Sequence, residues 1–201
     1  MYHTLAEFEA AIFASDPPYT DHDLASIEVA WRVYQTALSQ TPVDCLVLGR
    51  KTGPHFAGIG IDDVLRANFR TINEWETDGA VLQMGEDEWT YLVNDAWVLG
   101  GVHSHKPFYI ASERTPDNIY SVNNSRLTVT ARELTGLKVF GYNIHHRQDL
   151  GEVAVCANTD LADMASFETY NQHVVMYATD EGWMAQLLAP EHGGPAVVTI
   201  N

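Results

Sequence analysis

Apolar residues recur at three- and four-residue intervals through the first 40 positions and then give way to continuous or alternating runs. The helical spacing predicts a short helix over residues 4–13, stopped by Asp16-Pro17-Pro18. A second helix follows, capped by Asp21 or Asp23, with Leu24, Ile27, Trp31, Tyr34 and Leu38 on one stripe and Pro42 at its end. Val43 to Leu48 is a short apolar run, the pattern of a buried strand, and Gly49 to Gly60 is a glycine-rich loop. Asp62 and Asp63 suit the positive end of a third helix that places Ile61, Leu65, Phe69 and Ile72 on one face.

From Gly79 to Ser112 the pattern predicts strands over 80–84, 89–93, 97–105 and 108–111, with Asn94-Asp95 as a turn between two of them. A polar stretch from Glu113 to Arg126 is long enough to be a functional loop. Thr130-Ala131-Arg132-Glu133 reads as a capping box opening a helix with Leu134, Leu137 and Phe140, closed by Gly141. Val153–Cys156 resumes the sheet, and Thr159-Asp160 starts a helix that turns Leu161, Met164, Phe167 and Tyr170 inward. Residues 174–178 and 196–200 are expected as the last strands, while 183–188 fits either element. The expected fold class is α+β: a mostly antiparallel central sheet with N-terminal helices and two later helices packed on it. One domain spanning 1–201 is expected, with a helical flank over 1–42 and a sheet-containing body over 43–201.

Composition narrows the function classes. The formal charge is −16, and its origin is the scarcity of Lys and Arg (11) against 27 Asp and Glu. Such a chain lacks the basic face that nucleic acid or anionic lipid requires. No run approaches the ~20 apolar residues that span a bilayer, and Met1-Tyr2-His3-Thr4 lacks the basic head of a signal peptide. Cys45 and Cys156 lie in apolar runs and read as buried free thiols, so a cytoplasmic location is expected.

The candidate chemistry centres on Gly100-Gly101-Val102-His103-Ser104-His105. In a strand, His103 and His105 would face the same way and share one ligand, while Ser104 would point to the opposite side. Zinc is the cofactor such a pair would take, with His145 as third ligand; His146, Asp149 and Asp117 are further candidates. Without a metal, one imidazole would act as general base and Asp117 would fix its tautomer. Arg114 would orient an anionic group. The catalytic candidates are therefore His103, His105, Asp117 and Arg114, and the metal candidates His103, His105 and His145. The alternative is that both histidines simply hydrogen-bond within a polar patch of the sheet.

The tripeptide His103-Ser104-His105 locally resembles the histidine pair of JAMM-type metalloproteases, whose pattern continues with a Ser and then an Asp. Here Ser112 comes one place early, Thr115 stands where the Asp is expected, and Asp117 is two residues late. Glu113 likewise falls too far along for the first cupin motif. Arg50-Lys51-Thr52-Gly53 resembles a phosphate-binding loop but has Arg50 where a Walker loop needs glycine. Glu86-Asp87-Glu88 reads as a solvated acidic turn or a contact for a basic partner. Three functions follow as expectations. The first is a small hydrolase acting on a small-molecule or protein substrate at the 97–105 strand. The second is an acidic, immunity-type protein that neutralises a basic protein partner. The third is a domain that forms homo-oligomers through its aromatic surface.

Overall fold

The computed structural model describes residues 1–39, 45–48, 69–71, 90–112, 114–121, 126–147 and 151–189. The expected glycine-rich loop, the strands at 80–84 and 196–200, the Glu86–Glu88 triplet and the Arg50–Gly53 segment lie outside the described residues.

Helix α1 (Leu5–Phe13) forms where the periodicity places it, closed at its start by a capping box between Thr4 and Glu7. The next predicted helix is divided into α2 (Asp21–Leu24) and α3 (Ile27–Leu38). Its cap is Thr20 rather than Asp21 or Asp23; Asp23 instead answers from the third helical position. The expected strand at 43–48 is β1 (Cys45–Leu48), whereas Phe69–Thr71, expected in a helix, forms strand β2.

The largest departure follows. The predicted strands at 89–93 and 97–105, with the turn at Asn94-Asp95, are one continuous helix, α4 (Tyr91–His103), capped by Thr90. Twelve of its residues, Leu92 to His103, are buried, so it lies inside the molecule and shows no one-sided apolar stripe. Gly100 and Gly101 make that burial geometrically feasible. A Cβ on Gly100 would sit 2.5 Å from the Tyr34 carbonyl oxygen of α3, and one on Gly101 would collide with Leu46 and Phe108. The glycine pair therefore lets α4 press against α3 on one side and the sheet on the other.

Strand β3 (Phe108–Ile110) matches expectation. The polar stretch after it holds helix α5 (Pro116–Ile119) and a small ladder of β4 (Tyr120–Ser121) with β5 (Arg126–Leu127). Helix α6 (Val129–Val139) is capped by Thr128, so Thr130 lies inside it rather than at its cap. Gly141 then takes φ +81 and turns the chain into β6 (Tyr142–Arg147) and β7 (Gly151–Cys156). Helices α7 (Thr159–Asp163), α8 (Phe167–Tyr177) and α9 (Glu181–Leu188) complete the described chain. Residues 174–177 belong to α8, not to a strand. Of the four residues expected inward, Phe167 and Tyr170 are buried while Leu161 and Met164 are exposed.

The fold is α+β with a mixed sheet of order β2-β1-β3-β7-β6. The β1–β2 and β1–β3 pairs are parallel, and β3–β7 and β7–β6 are antiparallel, so the expected antiparallel meander is replaced. The reason is α4: a helix between β2 and β3 is the crossover that lets β3 join β1 in parallel. Leu46, Leu48, Phe108, Ile110, Ala154 and Ile144 face one core with α3, α4, α6 and α8. No described helix is long and apolar enough to cross a membrane. Cys45 is buried and Cys156 half-buried.

Candidate functional site

The two ends of α4 carry the polar side chains that bear on function. At its C-terminus, backbone bonds from His105 N to Val102 O (3.0 Å) and from Lys106 N to Gly101 O (2.9 Å) form a Schellman closure. His105 occupies the left-handed position, φ 53, where glycine is usual. The two histidines therefore lie on a helix end and the turn after it, and the shared strand face does not form.

Each histidine is already engaged. His103 is 3% exposed. Its Nε2 meets the Ala165 carbonyl at 2.8 Å, so that nitrogen carries the proton and Nδ1 accepts from the Tyr34 hydroxyl at 2.8 Å. The Tyr34 oxygen in turn accepts from the Tyr2 N–H at 2.9 Å. Burial pushes the His103 imidazole down to about 4, against the opposing bond to Ala165, and keeps it neutral. Neither ring nitrogen is open to a metal. His105 Nε2 lies 2.9 Å from Asp163 Oδ1 at the surface. Ser104 donates back to the Gly100 carbonyl at 2.9 Å, which closes the helix end.

The remaining candidates do not converge on this pair. Arg114 and Asp117 follow the C-terminal end of β3, whereas His103 and His105 precede its start. Arg114 forks onto Glu152 (2.7 and 2.5 Å) and donates to the carbonyls of Leu187 and Ala189, tying β7 to the end of α9. Asp117 is exposed in the first turn of α5. His145 lies on β6 opposite Val153, on the sheet face away from Ile144 and the helical core, so the sheet separates it from His103. His146 points the other way and is exposed, and Asp149 lies outside the described residues. Among the described residues no group of three or more His, Cys, Asp and Glu is placed to hold a metal ion.

The N-terminal end of α4 holds a polar cluster that the strand reading concealed. Asp95, fully buried, receives Arg132 Nε and Nη2 at 2.7 and 2.6 Å and the Tyr19 hydroxyl at 2.5 Å. Arg132 also donates to Asn171 Oδ1 at 2.8 Å and lies over the rings of Tyr19, Tyr91 and Tyr170. Burial works against its charge, but Asp95 outweighs it and holds the guanidinium ionised. Next to it, Glu133 is buried, and burial together with Asp95 pushes its carboxyl up to about 8. Asn94 is 1% exposed, and neither atom of its amide has a hydrogen-bond partner among the described residues. The sequence signal for this end was Thr90 followed by a run too long for an ordinary strand.

Charge is distributed just as unevenly. The first cationic side chain is Arg32 and the last is Arg147. Residues 1–31 hold six carboxylates and residues 148–201 hold eight, with no Lys or Arg in either, so these segments carry −14 of the formal −16. The fold packs the described parts of both together. Tyr2 stacks on Phe167 at 5.6 Å, Phe8 meets the same ring edge-on, and the Asn171 amide donates to the Pro17 carbonyl at 2.5 Å. Three cations of the middle segment are turned inward: Arg114 and Arg132 as above, and Lys106, which donates to the Ala37 and Ser39 carbonyls at the end of α3.

No family model, curated protein or solved structure matches this chain.

Proposed function

We propose that the protein is an acidic binding protein that engages a basic protein partner through the side built from its two terminal segments. The observation that carries this reading is that α1 and α8 pack against each other and come from the two terminal segments that hold no lysine or arginine. Glu7 on α1 and Glu168 on α8 are exposed, as are Asp16, Asp160, Asp163 and Glu181 elsewhere in the same two segments. Several of these acids also stand in the first turns of their helices, where they favour the helix dipole, and that role alone would account for each singly. It does not account for the complete lack of intervening lysine and arginine, which well-mixed surfaces contain. The same segments expose Phe13 (64%) and Met164 (76%), large apolar groups of the kind that anchor interfaces. Negative potential would speed the encounter, and the apolar groups would supply contact area.

The hydrolase reading loses the geometry that motivated it, because His103 is spent on Tyr34 and Ala165 and His105 closes a helix. The binding reading is tested by affinity capture with wild-type, Asp160→Lys/Glu168→Lys/Glu181→Lys and Asp117→Lys baits, followed by mass spectrometry. One basic protein retained by the wild type and the Asp117→Lys bait, and lost by the triple variant, is the expected result. Equal retention by all three, or no basic protein above background, removes the proposal.

A further inference from the structure

The exposed apolar side chains are not scattered. Of the six large ones among the described residues, four fall in one short stretch: Leu161, Met164, Val175 and Met176, the last three more than half exposed. The same stretch is anchored by Ala162, Ala165, Phe167, Tyr170 and Val174, which all enter one core, so α7 and α8 turn the other four away from it. Isolated surface leucines need no explanation, but a group of this kind marks a contact surface.

Helix geometry orders it. On α8, Glu168, Gln172, Val175 and Met176 are exposed and follow the i, i+4, i+7, i+8 spacing of a single face. That stripe runs about 12 Å, roughly two turns of a facing helix. Leu161 and Met164, three residues apart on the last turn of α7, place apolar groups just before its start. Acids flank both ends. Asp160 and Glu168 stand four residues to either side of Met164, and Asp180 and Glu181 follow Met176 by four and five. All four acids are exposed, and residues 148–201 hold no Lys or Arg to offset them. The whole surface belongs to the continuously described run 151–189.

We propose that the outer face of α7 and α8 docks a cationic amphipathic helix. Its apolar stripe seats on Met164, Val175 and Met176, and its Lys or Arg side chains meet Asp160, Glu168, Asp180 and Glu181. This rests on the binding reading above and names the chemistry of the partner. A helix surface offers side chains only, because its backbone bonds are spent internally, so a segment lying dry on it must satisfy its own backbone. A helix does so and an extended strand does not. Charge complementarity fixes the sign of the occupant. The same acids repel an anionic lipid surface, the other common ligand of apolar groups on an exposed helix. Methionine, unbranched and polarisable, adapts to the side chains of a facing helix.

The probe is a synthetic Lys/Leu peptide of about fourteen residues with leucines at helical spacing, set against a scrambled peptide of the same composition. Binding to the full chain is followed by fluorescence anisotropy and circular dichroism. The ordered peptide is expected to bind the wild type saturably and to gain helicity, and the scrambled peptide to bind at least tenfold more weakly. Met164→Ser/Met176→Ser keeps every acid and is expected to lose at least tenfold in affinity with an unchanged far-ultraviolet spectrum. Met176→Gln serves if the double variant does not fold. No binding of the ordered peptide, equal binding of the scrambled one, or undiminished binding by a folded methionine variant overturns the proposal. Equal binding of both peptides that is lost in Asp160→Lys/Glu168→Lys/Glu181→Lys removes the helix while leaving the acidic binding reading intact.

Discussion

The Tyr34 hydroxyl donates to His103 Nδ1 across 2.8 Å and joins α3 to the last residue of α4 inside the core. With the Ala165 carbonyl on the other ring nitrogen, the bond makes His103 a neutral bridge between three parts of the chain.

That bridge predicts an acid-sensitive fold. The folded His103 sits at about 4, below the ~6.5 of an unfolded histidine. The unfolded chain thus binds the extra proton first, and stability present above pH ~6.5 is lost as pH falls toward 4. The full difference is roughly 3 kcal/mol. His103→Gln, which can keep one donor and one acceptor, is expected to flatten this part of the urea-unfolding profile. An unchanged slope between pH 4 and 6.5 in the variant would assign the sensitivity elsewhere.

Glu133 acts with the opposite sign. Its folded pKa of about 8 lies above the ~4.3 of an unfolded glutamate, so its contribution is intact at low pH and is lost as pH rises toward 8. Glu133→Gln is expected to stabilise the protein by roughly 2–4 kcal/mol at pH 8 and by little at pH 4. Denaturant titrations at the two pH values check this. Equal effects at both would show that Glu133 does not change its proton on unfolding.

The Asp95–Arg132 pair is the most costly interaction to break from one side. Asp95→Ala leaves a guanidinium buried among Tyr19, Tyr91 and Tyr170, and a loss of roughly 3–5 kcal/mol is expected. The double change Asp95→Leu/Arg132→Met removes both charges and is expected to cost clearly less than the two single changes summed. Additive losses in a double-mutant cycle would contradict direct coupling.

His105→Gly separates a capping role from a ligand role. Glycine relieves the left-handed conformation, worth roughly 1–2 kcal/mol, and gives up a surface contact with Asp163 worth at most about 1 kcal/mol. Stability equal to or above wild type is expected from thermal melts with and without added zinc. A marked loss that depends on zinc would restore the metal reading.

Local signals carried the ends of the molecule. The helix over residues 4–13, the stripe through Ile27 and Tyr34, and the turn at Gly141 depend on a few neighbouring residues, and each was legible in the chain as written. α4 was not legible, because Leu92 to His103 is buried on every side and burial from all directions erases the period that distinguishes helix from strand. The histidine pair was misplaced with it: two residues apart means one face in a strand but about 200° of rotation in a helix. The Arg132–Asp95 pair spans 37 positions, and no spacing rule reaches that far.

The sequence by itself determined an acidic chain with scarce cations, an α+β composition of elements and the position of its first helix. Only the tertiary structure decided that β3 joins β1 in parallel, that His103 serves the core, and that the described parts of the two cation-free segments, 1–31 and 148–201, pack against each other. The physical reason is range. Caps and periodicity depend on neighbours along the chain, whereas burial, pairing and field depend on which distant segments the core brings together.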